Sequence, residues 1–143
     1  MLRRLLLQGA LAGLLVAETG ASTVHAQSAS EHPQASVAPI KQAIIDTTGY
    51  HAAAVELAAT TPRFVVTVVN SSLNGASGKV RENEAGRIVA AITRTIAGNA
   101  KFRSIQAIRI DYVSRDPDGS NARTVDAIDF RKTPQGAFEH HIT

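Results

Sequence analysis

One stretch of the chain, residues 63–98, constrains the fold more than any other. It begins with the segment FVVTVV at residues 64–69, in which β-branched side chains dominate and apolar residues occupy both faces. A strand with one face in water would alternate apolar and polar residues, whereas a strand covered on both faces does not. The segment therefore predicts an interior strand of a β-sheet.

The part of this stretch that follows an Asn/Ser/Gly loop has the period of an amphipathic helix. Its apolar positions form one stripe: Ala85, Ile88, Val89, Ile92 and Ile96. Gly98 stands where helices commonly end with a residue in the left-handed conformation. The pattern predicts a helix that packs against the sheet, with Ile92 in the core.

A shorter helix is predicted before the strand. Pro39 suits the first turn of a helix, and Gly49 marks its end. Residues 51–59 have high helix propensity but also alternate like a strand, so both structures are open. We interpret them as a strand, because residues 60–63 are short enough for a hairpin connection to the central strand.

Two alternating segments, residues 105–113 and 124–131, follow the long helix. Residues 115–121 between them are rich in turn formers, which predicts a hairpin. The inward face would carry Ile108, Ile110, Ile128 and Phe130. The same parity places Arg109 and Asp129 together on the outer face.

The predicted order is helix, strand, strand, helix, strand, strand. This order favours an α+β two-layer sandwich in which two helices cover one face of a four-stranded sheet. No repeat or internal linker interrupts it, so residues 37–143 form a single predicted domain. Phe138 would fold back onto the core, and His140 and His141 would lie in a solvated tail.

The first residues have the pattern of a signal peptide. Arg3 and Arg4 precede an apolar core at residues 5–16, and residues 24–26 form a small-x-small cleavage signal. We expect cleavage near Ala26, a flexible lead-in at residues 27–36, and a periplasmic or secreted protein. The apolar core is shorter than the ~20 residues that span a bilayer, so no membrane span is expected.

Composition excludes several classes of protein. The chain has no cysteine, hence no disulfide and no thiol chemistry. Loss of Arg3, Arg4 and Glu18 lowers the count from 15 basic and 12 acidic residues to 13 and 11, a net charge of only +2. Basic residues are scattered and lack interleaved aromatic residues, so nucleic-acid binding is not expected.

No catalytic, metal or cofactor motif stands out. Serine residues lie in no G-x-S-x-G frame. The segment at residues 116–121 has oxygen ligands at alternating positions, but Val125 stands where a calcium loop needs its acid, so a turn is favoured. We expect a non-catalytic protein without cofactor or metal; a small hydrolase with an unrecognised site is an alternative.

The candidate binding site is the loop that leaves the central strand. Hydroxyls, amides, helix-start N–H groups and positive charge would converge there on a small polar ligand such as phosphate or a carboxylate. Its residues are Asn70, Ser71, Ser72, Asn74, Gly75, Lys79 and Arg81. In the alternative interpretation the loop is a turn, Ser77 caps the helix, and Glu82 and Glu84 repel anions.

The order of elements up to Val113 resembles that of the BON-type envelope domains, which follow a helix-strand-strand-helix-strand plan. These domains favour an apolar-x-apolar-x-Gly pattern at the end of the second strand, where this chain has VTVVN at residues 66–70. The resemblance implies a module that contacts phospholipid or a membrane-bound partner. We expect an exported envelope protein that acts by binding or structural interaction, with an envelope protein or a small polar ligand as partner and an undetermined oligomeric state.

Overall fold

A computed structural model describes residues 32–142, and the side chains of residues 37–142. The predicted signal peptide, residues 1–26, and residues 27–31 of the lead-in lie outside the described residues. The elements are α1 (His32–Thr48), β1 (Val55–Thr60), β2 (Arg63–Val69), α2 (Gly78–Ile96), β3 (Ala107–Arg115), β4 (Ala122–Lys132) and β5 (Phe138–His140). None of the described helices is long and apolar enough to cross a membrane.

The five strands form one mixed sheet in the order β1-β2-β3-β4-β5. β2 and β3 are parallel, and the other neighbours are antiparallel. The α+β class is as predicted, and β2 is an interior strand. The chain passes from β2 to the parallel β3 through α2.

The prediction of four strands is wrong, because the tail supplies a fifth. A turn closed by the hydrogen bond from Thr133 N to Ala137 O, with Gly136 at φ +90°, reverses the chain after β4. Phe138–His140 then pairs with the end of β4, and His141 N donates to Asp129 O. His140 therefore belongs to an edge strand.

The choice of a strand for the ambiguous segment is confirmed for its second half. Ala52–Ala54 is a single 3-10 turn, and Val55–Thr60 pairs antiparallel with β2. Pairing with an interior strand outweighs the helix propensity of alanine, since propensity is the weaker influence once tertiary contacts form.

Helix α1 differs from prediction at its start. It begins at His32, so Pro39 lies inside the helix and not in its first turn. Pro39 is exposed, while Ile40 and Ile44 on the opposite side are buried. Gly49, at φ +75°, follows the helix end as expected.

The core combines buried residues of both helices with buried residues of the sheet. Rows of paired residues run across the strands, such as Phe64, Ile108 and Phe130. Ile92 is fully buried among them, as predicted. On the outer face Arg109 pairs with Asp129, and their side chains form an ion pair at 3.1 Å, which confirms the predicted register.

Candidate functional site

The loop that was predicted as a binding site begins with a residue that joins two parallel strands. Asn70 has φ +53°, a left-handed conformation that asparagine tolerates better than most residues. Its side-chain amide donates to Arg115 O at 2.9 Å, and its Oδ1 accepts from Arg115 N at 2.7 Å. Asn70 thus extends the pairing of β2 with β3 beyond the end of β2.

Other residues of the loop differ in exposure. Ser72 and Gly75 are exposed, and Lys79 is exposed beside Glu82, at 3.3 Å. Asn74 donates to Val113 O at 3.1 Å, and its Oδ1 is buried without a partner among the described residues. Ser77 occupies the N-cap position of α2, although its side chain makes no capping hydrogen bond.

Two of the predicted site residues are buried. Arg81 is 9% exposed; its Nε donates to Asp126 Oδ2 at 2.8 Å and its Nη1 donates to the carbonyl oxygens of Leu73 and Ala76. The guanidinium therefore ties the loop to α2 and β4. Ser71 is 7% exposed and takes part in a second network.

That network, the tyrosine cluster, consists of Tyr50, Ser71, Glu84 and Tyr112. The hydroxyls of Tyr50 and Tyr112 each donate to the Glu84 carboxylate, with a shortest distance of 2.8 Å in both cases. Ser71 Oγ lies 2.5 Å from the Tyr50 hydroxyl and accepts from Leu73 N at 3.0 Å. A continuous chain of hydrogen bonds thus runs from the loop to the carboxylate.

Each member of the tyrosine cluster is positioned by a different element. Tyr50 follows the glycine that ends α1, and Ser71 follows the last residue of β2 by two positions. Tyr112 is on the inner face of β3, in register with Val68. Glu84 is on α2, one turn before Ile88.

The electrostatics of the tyrosine cluster favour neutral phenols beside a charged carboxylate. Burial raises the pKa of Tyr50 to about 12, a shift that the Ser71 hydrogen bond opposes and Glu84 reinforces. Burial, followed by the charge of Glu84, also raises the pKa of Tyr112. A phenol with a raised pKa keeps its proton at neutral pH, so it is not available as a general base for a serine. The arrangement is better suited to linking structural elements than to activating a nucleophile.

Sequence reasoning missed four residues of these networks: Tyr50, Glu84, Tyr112 and Asp126. For α2, the sequence contains one signal that points to these networks. Arg81 and Glu84 fall on the apolar stripe of α2, one turn before Ala85 and Ile88. Charged residues on a core-facing stripe need partners, since an unpaired buried charge is costly.

A groove lies beyond α2, on the side away from α1. It consists of two adjoining depressions of about 250 and 340 Å³ that share Thr93 and Phe138. Its other apolar or small lining residues are Gly86, Val89, Ala90, Ile96, Ala97, Gly98, Phe102, Phe130, Gly136 and Ala137. The volumes are of the order of those of ligand pockets, roughly 300–1,000 Å³.

Small residues on α2 leave room for this groove. Helix α1 packs against α2 and β1, so it covers the β1 side of the sheet. On the β4–β5 side, α2 presents Gly86, Ala90 and Ala97. These side chains are too short to fill the space above Phe130 and Phe138, so the aromatic rings border an open channel.

The rim of the groove is basic. Arg94, Arg103 and Lys132 are among its lining residues, and none of the lining residues in the described part of the chain is acidic. Lys132 Nζ lies 5.8 Å from the centre of the Phe138 ring. In the sequence, residues 85–110 include no Asp or Glu. The groove therefore combines an apolar wall with positive charge.

No protein-family model matches the chain, and a search of curated proteins finds no similar sequence.

Proposed function

We propose that this protein is an exported, non-catalytic binding module of the cell envelope, and that its groove holds an anionic amphiphile such as a phospholipid. The observation that carries the proposal is the coincidence of apolar walls and a basic rim in one groove. An apolar chain gains free energy by leaving water, about 25 cal/mol per Å² of buried surface. An acidic head group would meet the cations at the rim.

The apolar part of the site is built from residues that are already ordered by the core. Phe102 and Phe130 are 8% and 6% exposed, so they form fixed walls. Phe102 packs edge-on against Phe64 at 6.5 Å between ring centres, and Phe130 contacts His140 at 5.6 Å. A preformed wall reduces the conformational entropy that the protein must lose when a ligand binds.

The basic part of the site is concentrated at one end. Arg103 and Lys132 line the depression near the end of α2, and Arg94 lines the neighbouring depression. If the acidic head group of the ligand lies near Arg103 and Lys132, the apolar chain of the ligand can extend along α2 towards Gly86. Two neighbouring cations attract an anion more strongly than one does, which favours this orientation.

The architecture supports the same proposal. In the proposed arrangement, both helices lie on one face of the sheet as a two-layer sandwich, and the groove lies at the β4–β5 end of that face. The order α1-β1-β2-α2-β3 matches the plan of BON-type domains. Asn70, where their pattern has glycine, adopts a left-handed conformation. Signal-peptide cleavage near Ala26 would deliver the module to the periplasm or the medium.

Liposome flotation of the mature protein tests the proposal. We expect flotation with vesicles that contain phosphatidylglycerol and none with pure phosphatidylcholine. Arg103→Glu should abolish flotation, whereas Arg123→Glu, an exposed residue outside the groove with the same charge change, should not. Equal effects of the two variants would show that flotation depends only on net charge. That result would contradict binding in the groove.

A second pair of variants tests the apolar wall. Gly86 lines the groove and a Cβ there meets nothing within 4 Å, so we expect Gly86→Phe to place its ring in the groove. Asn83→Phe, at an exposed position of the same helix, is the matched control. Loss of flotation in Gly86→Phe alone is expected; unchanged flotation in Gly86→Phe would show that the ligand lies elsewhere.

Binding at the predicted loop stays a prediction. Titration of phosphate or a small carboxylate, followed by amide NMR, should shift residues 70–81 first if Ser72, Lys79 and their neighbours bind such a ligand.

A further inference from the structure

Strand β1 leaves one edge of the sheet open. β1 pairs with β2 on one side, and within residues 32–142 no strand pairs with its other side. Its last residues, Ala58, Ala59 and Thr60, are exposed. Within the described part of the chain, the backbone N–H and C=O groups along this edge have no strand to pair with, and such an edge can accept a further strand.

The two edges of the sheet are unlike each other. β5 has three residues, a length that limits pairing, whereas β1 has six. Proteins commonly protect an edge with proline, lysine or inward charges. The one charged residue of β1 is Glu56, and Arg115 holds it on the outer face at 2.7 Å. The other residues of β1 are small or apolar, apart from Thr60.

The sequence of β1 is compatible with pairing to itself. When two copies of one strand pair antiparallel about a two-fold axis, each residue faces a residue of the other copy. The numbers of the two facing residues add up to the same total at every position. With a two-fold axis at Ala58, Ala58 faces its own copy and Glu56 faces Thr60. No like charges are opposed, and the centre of the contact consists of methyl groups, which let two backbones approach to the ~4.8 Å spacing of a sheet.

We propose that two copies of this chain associate through antiparallel pairing of their β1 strands about a two-fold axis at Ala58. The two sheets then form one continuous sheet. The grooves lie at the opposite edges, beside β4 and β5, and stay open. This inference is independent of the ligand proposed above.

Charge substitutions at Ala58 test the pairing. Ala58 is exposed on the outer face, so lysine or glutamate fits there in a folded monomer. The wild-type mature protein should sediment as a dimer at micromolar to millimolar concentration. Ala58→Lys and Ala58→Glu should each raise the dimer dissociation constant at least tenfold, because like charges meet at the axis.

Mixing the two variants is the decisive control. An equimolar mixture of Ala58→Lys and Ala58→Glu should recover a dimer with an affinity at or above that of the wild type, since the charges are then opposite. A monomeric wild type, or a dimer that neither substitution weakens, overturns the proposal. Tighter association of Ala58→Lys alone also overturns it, because an axis at Leu57 would place that lysine opposite Glu56.

Discussion

The hydroxyl of Tyr112 lies 2.8 Å from a carboxylate oxygen of Glu84, so β3 and α2 are joined by a hydrogen bond to a charged group. The hydroxyl of Tyr50 donates to the same carboxylate at 2.8 Å. One acidic side chain therefore links the segment after α1, helix α2 and an interior strand. Such hydrogen bonds are stronger than those between neutral groups.

Removal of the Tyr112 hydroxyl should destabilise the fold. Tyr112→Phe keeps the buried ring but leaves Glu84 with one phenol donor, and we expect a loss of about 1.5–3 kcal/mol in urea titration. In a Glu84→Gln background the same change should cost less, because the acceptor is no longer charged. Equal costs in both backgrounds would show that the two side chains are not coupled.

Alkaline pH should weaken the protein. The folded pKa of Tyr50 is raised to about 12 from about 10, so an unfolded chain loses this proton first. The stabilisation is complete below pH 10 and is lost as the pH rises to about 12. Because the chain has two tyrosines and no tryptophan, absorbance at the tyrosinate band follows the ionisation of the tyrosine phenols directly. Tyr50→Phe should reduce the pH dependence of unfolding between these limits; an unchanged slope would contradict the assignment.

Ile92 tests the core between α2 and the sheet. It is fully buried, so Ile92→Ala should cost roughly 2–5 kcal/mol through lost contacts and a residual cavity. Val80, on the same helix but 43% exposed, is the control, and Val80→Ala should change the free energy of unfolding by less than about 0.5 kcal/mol. Similar losses at the two positions would be inconsistent with this packing.

The ion pair of Arg109 and Asp129 tests the register of the β3–β4 hairpin. The side chains are 34% and 27% exposed, so a double-mutant cycle with alanine should give a coupling of about 0.2–1 kcal/mol. Salt at 1 M should reduce it, since partly exposed charges are screened. Arg109 also contacts Asp111 at 2.8 Å. Asp111→Ala is therefore the control that measures the contribution of this second acidic partner.

Processing is tested by mass spectrometry of the exported protein. Cleavage after the small-x-small signal at residues 24–26 should leave Gln27 as the N-terminal residue. Ala26→Pro should block cleavage and retain the longer form. An exported chain that still begins at Met1 would contradict the predicted cleavage.

Elements with a strong period were predictable, and elements fixed by tertiary contacts were not. The stripe around Ile92 and the apolar segment of β2 repeat over many residues, so their structure and burial followed from spacing. β5 has only three residues and depends on its pairing with β4. Pro39 was expected in the first turn of a helix, where proline is preferred. Because α1 is longer than predicted, Pro39 lies inside it.

The sites were harder to predict for a related reason. Tyr50, Ser71, Glu84 and Tyr112 come from four segments, and no short motif contains more than one of them. The loop around Ser71 was recognised as polar, but its partners depend on the packing of α1 and α2. The groove was not predicted either, since its lining combines one side of α2 with the short strand β5.

The parallel pairing of β2 with β3 sets how this chain must fold. The β1–β2 and β3–β4 pairs join neighbours in sequence across short turns, so each can form early as a local hairpin. The β2–β3 pair instead closes a loop that contains residues 70–106 and all of α2. Closing this loop costs chain entropy before the sheet is complete. We therefore expect the slow event in folding to be the docking of the two hairpins, with α2 as the segment between them.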